Sequence, residues 1–247
     1  MEKKLATQRV SVDIADGTTM NAYVARPAEE GKFPGMMVFQ EAFGVNAHLR
    51  DVTERVAREG YVAVAPELFH RTAPGFEASY ANFQSTMPHM QAITEAGASK
   101  DIEATYDWLR THPQVAEDRI GSIGFCLGGR MSYLADSVVN LRAAISFYGG
   151  RIAPDLLPRA ANLSAPILFF WGVLDQHIPP DQIRAVVEEV KKANKPYVNV
   201  EISNADHGFF CDARGSYNPV AATLAWTLSL QFLDIHLRGS ERKTQTA

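Results

Sequence analysis

Three residues have the types and chain order needed for covalent catalysis: Cys126, Asp175 and His207. Cys126 stands in Gly124-Phe125-Cys126-Leu127-Gly128-Gly129, where an apolar run ends and a helical pattern begins. A Gly-x-Cys-x-Gly turn between strand and helix has the form of a nucleophile elbow, with a thiol where serine is more usual. The middle residue of such a turn is strained, so small residues must flank it where strand and helix approach closely. Gly124, Gly128 and Gly129 meet that need. The following helix aims its first amides and a partial positive charge at the sulfur, which favours thiolate and oxyanion alike. The competing reading is a buried, packing cysteine whose glycines only let strand and helix pack tightly.

A thiol nucleophile needs an imidazole to carry its proton and a carboxylate to orient that imidazole. Asp175 follows an apolar run through the link Gly172-Val173-Leu174, and His207 follows another in Asn204-Ala205-Asp206-His207-Gly208-Phe209. Both are thereby expected at the carboxyl edge of a parallel sheet, where ligands of such sheets gather. Read singly, Asp175 is a turn former or helix cap before Pro179-Pro180 sooner than a catalytic acid, and His207 a surface loop histidine. Cys211 has no comparable setting and reads as structural.

Stepping outward along the chain, the pattern predicts the scaffold that positions these groups. Alternation through Val10, Val12 and Ile14, a turn at Asp16-Gly17, and alternation through Met20, Ala22 and Val24 predict an N-terminal antiparallel hairpin. Continuous apolar runs at 36–39, 61–65, 120–125, 143–147 and 167–171, with a further run at 198–202, predict buried parallel strands. Helical periodicity falls between them at about 48–59, 93–111, 127–137, 181–193 and 219–237. This order predicts an α/β fold with a mostly parallel central sheet and helices on both faces. One domain over 1–247 is expected, with 239–247 a frayed polar tail. The long segment 69–90 is expected as a loop forming a substrate-facing wall.

The formal charge is −4 over 247 residues, and Lys and Arg are scattered. That removes the footprint expected of a nucleic-acid or anionic-membrane binder and favours a small-molecule partner. The charged N-terminus lacks a secretory apolar run, no bilayer-spanning stretch is expected, and two cysteines read as reduced thiols of a cytoplasmic protein. No phosphate-cradling glycine loop and no metal-ligand spacing occurs, so neither cofactor nor metal is expected. Oligomeric state is left open.

Together, Gln40-Glu41-Ala42-Phe43-Gly44, the turn around Cys126, Gly172-x-x-Asp175 and His207-Gly208-Phe209 resemble the dienelactone hydrolase family. The resemblance runs through nearly the whole chain and implies an α/β-hydrolase fold. It implies Cys126 as nucleophile, Asp175 and His207 as its partners, and Glu41 as a carboxylate touching the resting sulfur. By the same pattern the backbone N–H groups of Ala42 and Leu127 form the oxyanion hole. The implied activity is hydrolysis of a small ester or enol-lactone through an acyl-thioester. One departure concerns the arginines that hold a substrate carboxylate in lactone-specific members. Residues 76–99 contain no Arg, and the fourth residue after His207 is Cys211. Arg71 and Arg214 are the nearby substitutes, with Tyr80 a further substrate contact in the long loop. Alternative readings are an esterase or thioesterase of the same mechanism on an unrelated substrate, and a non-catalytic binder or redox sensor using Cys126.

Overall fold

The computed structural model describes residues 4–238, so the expected frayed tail at 239–247 lies outside the described residues. β1 (Leu5–Asp13) and β2 (Thr19–Pro27) form the N-terminal hairpin, paired from Leu5 opposite Pro27 to Asp13 opposite Thr19. Its turn uses Gly17 at φ 84, a left-handed conformation without cost for glycine. The Asp16 side chain accepts from the Thr18 amide and hydroxyl.

The remaining strands are β3 (Phe33–Phe39), β4 (Val62–Pro66), β5 (Val115–Phe125), β6 (Ala143–Phe147), β7 (Ile167–Gly172) and β8 (Tyr197–Ile202). They complete one eight-stranded sheet in the order β1-β2-β4-β3-β5-β6-β7-β8. Only the β1–β2 and β2–β4 pairs are antiparallel; from β4 to β8 every pair is parallel. β4, β6 and β7 are buried throughout, which is why they read as unbroken apolar runs and not as alternation.

Two boundaries depart from the sequence expectation for physical reasons. β5 starts at Val115, five residues earlier than the apolar run, because its first half carries exposed Glu117 and Asp118. β3 runs through Pro34, and the pairing with β5 shifts between Phe33 and Gly35, as expected where proline cannot donate to the ladder.

The helices are α1 (Ala47–Arg58), α2 (Met87–Ala92), α3 (Glu95–Thr111), α4 (Leu127–Val138), α5 (Pro180–Lys192) and α6 (Pro219–Leu237). Asn46, Thr94 and Asn218 cap α1, α3 and α6 by accepting from the Leu49, Gly97 and Ala221 amides. The Thr94 cap explains why α3 starts at Glu95 and not at 93. The long segment 69–90 is not structureless: it holds a short 3₁₀ turn, Phe83–Thr86, and the start of α2. α6 also corrects the sequence reading. It is long and apolar enough to cross a membrane by length and composition. One side of it packs on β5, β6 and β7 through Ala221, Ala225, Phe232 and Leu233, while Val220, Leu224 and Ile235 face outward.

At the far end of α4, the buried Asp136 ties the helix to the segment before β7. Its Oδ1 accepts from the Ser164 amide, the Ser164 hydroxyl and the Ala165 amide. Burial nevertheless dominates and pushes its carboxyl up to about 7. The folded protein therefore holds a proton at Asp136 that the unfolded chain, near 3.8, has already lost. Folded binds more protons than unfolded across that window, so stability falls as pH rises from about 4 to about 7 and levels off above it. The swing is on the order of 4 kcal/mol. Urea midpoints between pH 5 and pH 8 should fall for the wild type and change less for Asp136→Asn; equal pH slopes would remove Asp136 as the cause.

Candidate active site

The site lies at the carboxyl end of the parallel strands, and sheet register explains how distant residues meet there. Phe39 stands opposite Gly124, Phe125 opposite Phe147, and Gly172 opposite Ile202. The segments leaving β3, β5, β6, β7 and β8 thus start at nearly one level. They carry Glu41 and Ala42, Cys126, Tyr148, Asp175, and His207.

Cys126 occupies the turn between β5 and α4 at φ 56, ψ −116, a conformation that costs a non-glycine residue of order 1–3 kcal/mol. Neighbouring backbone holds it there: its amide donates to the Phe147 carbonyl (3.0 Å), and its carbonyl accepts from the Gly129 amide (2.9 Å). The flanking glycines are required by contact. A Cβ on Gly124 would lie 1.9 Å from the Gly128 carbonyl oxygen, and one on Gly128 would lie 2.2 Å from that of Phe39. The thiol is partly exposed.

His207 places Nδ1 2.7 Å from Asp175 Oδ2, and its imidazole feels the charge of the neighbouring Cys126 sulfur. The second carboxylate oxygen of Asp175 accepts from the His177 amide (2.7 Å) and the Ile178 amide (3.2 Å). Burial raises the cost of charge on Asp175, but the hydrogen bond and charge of His207, with those two amides, hold it below the usual carboxylate range. On His207 burial opposes protonation. The charge on Cys126 and the hydrogen bond and charge of Asp175 outweigh it and push the imidazole well above its ordinary value. Part of that push comes from the Cys126 sulfur and part from Asp175. Such an arrangement can deliver a sulfur nucleophile and return a proton.

Glu41 is buried, with 4% of its surface exposed. Its Oε1 accepts from Arg214 Nη1 at 3.0 Å, and its Oε2 has no partner among the described residues. Glu41 bonds Arg214, and the Glu41–sulfur contact implied by the resemblance is not among the hydrogen bonds of the described residues. Arg214 lies 5.6 Å from the centre of the Phe43 ring, at cation–π range. Burial opposes its charge and Glu41 more than restores it. Gly208, at φ +79, makes room: a Cβ there would sit 2.3 Å from Arg214 Nη1. Ala42 follows Glu41, and Leu127 is the first residue of α4, whose first amides have no intrahelical partner.

Tyr80 packs on Phe43 at 4.5 Å and accepts from Asn46 Nδ2 at 2.9 Å, so it belongs to the wall beside Glu41 and Arg214. Arg71 does not join the group. Its guanidinium bonds Asp16 Oδ2 (2.9 and 2.7 Å) and both oxygens of Asp101 (2.7 and 2.8 Å), clamping the hairpin turn to α3. Two carboxylates satisfy its charge in place of a substrate. Sequence reading missed Tyr148, a fully buried residue at φ 37 whose ring lies 5.1 Å from that of His207. Its one sequence signal is its place between an apolar strand and Gly149-Gly150. The fold also brings together His48, Cys211 and Asp212, one group of metal-ligand type among the described residues.

Comparison with known proteins points to one family. A family profile described as "Dienelactone hydrolase family" matches residues 20–237. The chain is 38% identical over 226 residues to a Synechocystis protein named "Putative carboxymethylenebutenolidase", covering 87% of this chain and 92% of that protein. It is 29% identical over 249 residues to a Bradyrhizobium protein named "Probable 2-oxo-3-(5-oxofuran-2-ylidene)propanoate lactonase", covering 95% and 98% of the two chains. The crystal structure of a "Putative Dienelactone Hydrolase" from Klebsiella pneumoniae superimposes with a TM-score of 0.84 at 30% identity, covering 93% of this chain and 98% of that one.

Proposed function

Because the chain belongs to the dienelactone hydrolase family, whose profile matches it from residue 20 to 237, we propose that it hydrolyses a small carboxylic ester or enol-lactone with Cys126, His207 and Asp175 as a catalytic triad. The observation that carries the reading is that His207 places Nδ1 2.7 Å from Asp175 Oδ2 while the same imidazole lies in the field of the Cys126 sulfur. Nδ1 is committed to Asp175, which leaves Nε2 for the sulfur.

In the first half-reaction Cys126 passes its proton to His207 and the thiolate attacks the substrate carbonyl carbon. The Ala42 and Leu127 amides receive the developing oxyanion. The tetrahedral intermediate collapses, His207 returns the proton to the departing alkoxide or enolate, and an acyl-thioester remains on Cys126. In the second half, His207 takes a proton from water, hydroxide adds to the thioester, and carboxylic acid and thiol are regenerated. Asp175 stays ionised and steadies the imidazolium throughout. With excess 4-nitrophenyl acetate, rapid quench should show a nitrophenol burst near one per enzyme and one acetyl group on the Cys126 peptide. An acetyl group on another residue, or steady turnover without an acylated Cys126, rules this mechanism out.

Arg214 supplies the one guanidinium bonded to Glu41 in this wall, so it is the group that meets a negatively charged substrate end. Arg214→Ala should lower kcat/KM for acidic lactones about tenfold more than for neutral esters, equivalent to about 1.4 kcal/mol. Equal losses on both classes would detach Arg214 from carboxylate recognition.

A further inference from the structure

Outside the triad, His48, Cys211 and Asp212 bring one nitrogen, one sulfur and one oxygen donor within 4.8 Å of one another. We propose that these three side chains form a binding site for a thiophilic divalent cation of the zinc or cobalt type. The donor set favours such ions over magnesium or calcium, which take oxygen ligands.

The geometry is partly prepared. His48 Nδ1 lies 3.0 Å from Asp212 Oδ1, close to the roughly 3.3 Å edge that two ligands with bonds near 2.0 Å span on a tetrahedral metal. The imidazole, 5% exposed, is held within α1 and packs 6.3 Å from the Phe210 ring. Cys211 is fully buried and carries no disulfide. Asp212 is 53% exposed, so a cation can enter past it, and water can fill a fourth position. Its other oxygen lies 3.6 Å from Arg55, which orients the carboxylate as an outer partner and leaves Oδ1 to the metal. Binding requires the Cys211 thiol proton to leave to solvent and the His48 ring proton to sit on Nε2, so that sulfur and Nδ1 both offer lone pairs.

The site would fasten the segment between His207 and Arg214 to the first turn of α1. The proposal itself does not depend on catalysis at Cys126.

The test removes the competing thiol. Cys126→Ala protein is titrated with cobalt(II) alone, following thiolate-to-cobalt charge transfer in the near ultraviolet and the visible bands of tetrahedral cobalt. One equivalent should saturate the signal and release a proton. Adding Cys211→Ser should abolish the charge-transfer band. Asp212→Asn, at an exposed position, should keep the fold by circular dichroism and weaken binding at least tenfold. Absence of a band at millimolar cobalt in folded Cys126→Ala protein overturns the proposal, as does a band that survives Cys211→Ser or an unchanged affinity in Asp212→Asn.

Discussion

Cys126→Ala should lower kcat/KM toward esters and lactones by about 10⁴-fold or more while leaving the fold intact. The thiol is partly exposed and alanine removes a single sulfur atom, so urea stability should move by about 1 kcal/mol. The loss is large because the chain's other thiol, Cys211, cannot replace it at that place. Cys211 is fully buried, and burial pushes its thiol up to about 11. Activity in Cys126→Ala within tenfold of wild type, measured on the same ester panel, would remove Cys126 from the chemistry.

The second large effect is expected at Asp175. Its Oδ1 accepts from the His177 and Ile178 amides, and its Oδ2 faces His207 Nδ1. Asparagine can keep the first two bonds only with its carbonyl oxygen, which turns its amide N–H toward Nδ1. The imidazole must then accept at Nδ1 and carry its proton on Nε2, where it can no longer take one from sulfur. Asp175→Asn should therefore lower kcat about 10³-fold or more with KM changed far less, in a protein that melts near the wild type. A matched fall in binding and turnover, or a modest fall in kcat, would argue that Asp175 serves the turn and not the histidine.

These outcomes rest on features that were unequally visible in the chain. The alternating and continuous apolar runs named all eight strand positions to within a few residues except where polarity hid an end, as at Glu117 and Asp118 in β5. Cys126, Asp175 and His207 were legible as candidates because Cys126 directly follows β5 and the other two lie within five residues of the ends of β7 and β8, and parallel strands deliver their carboxyl ends to one edge. Arg71 was not, since nothing local reveals that Asp16, from the first hairpin, and Asp101, from α3, converge on it. The partners His48 and Asp212 lie 164 positions apart, so no ligand spacing could announce them. Gly208 was legible as part of a family motif, but its physical task depends on where the Arg214 side chain runs. Asp136 escaped notice because burial, and not its neighbours in sequence, decides its proton.

The backbone at Cys126 also says something about how this chain can change over time. At φ 56 and ψ −116 a glycine would rest without penalty, whereas cysteine stays there only because the Phe147 carbonyl and the start of α4 hold it. Drift toward greater robustness therefore runs downhill toward an inert protein at this position. Only a demand for turnover opposes it, and in a lineage released from that demand residue 126 should be among the first to be lost.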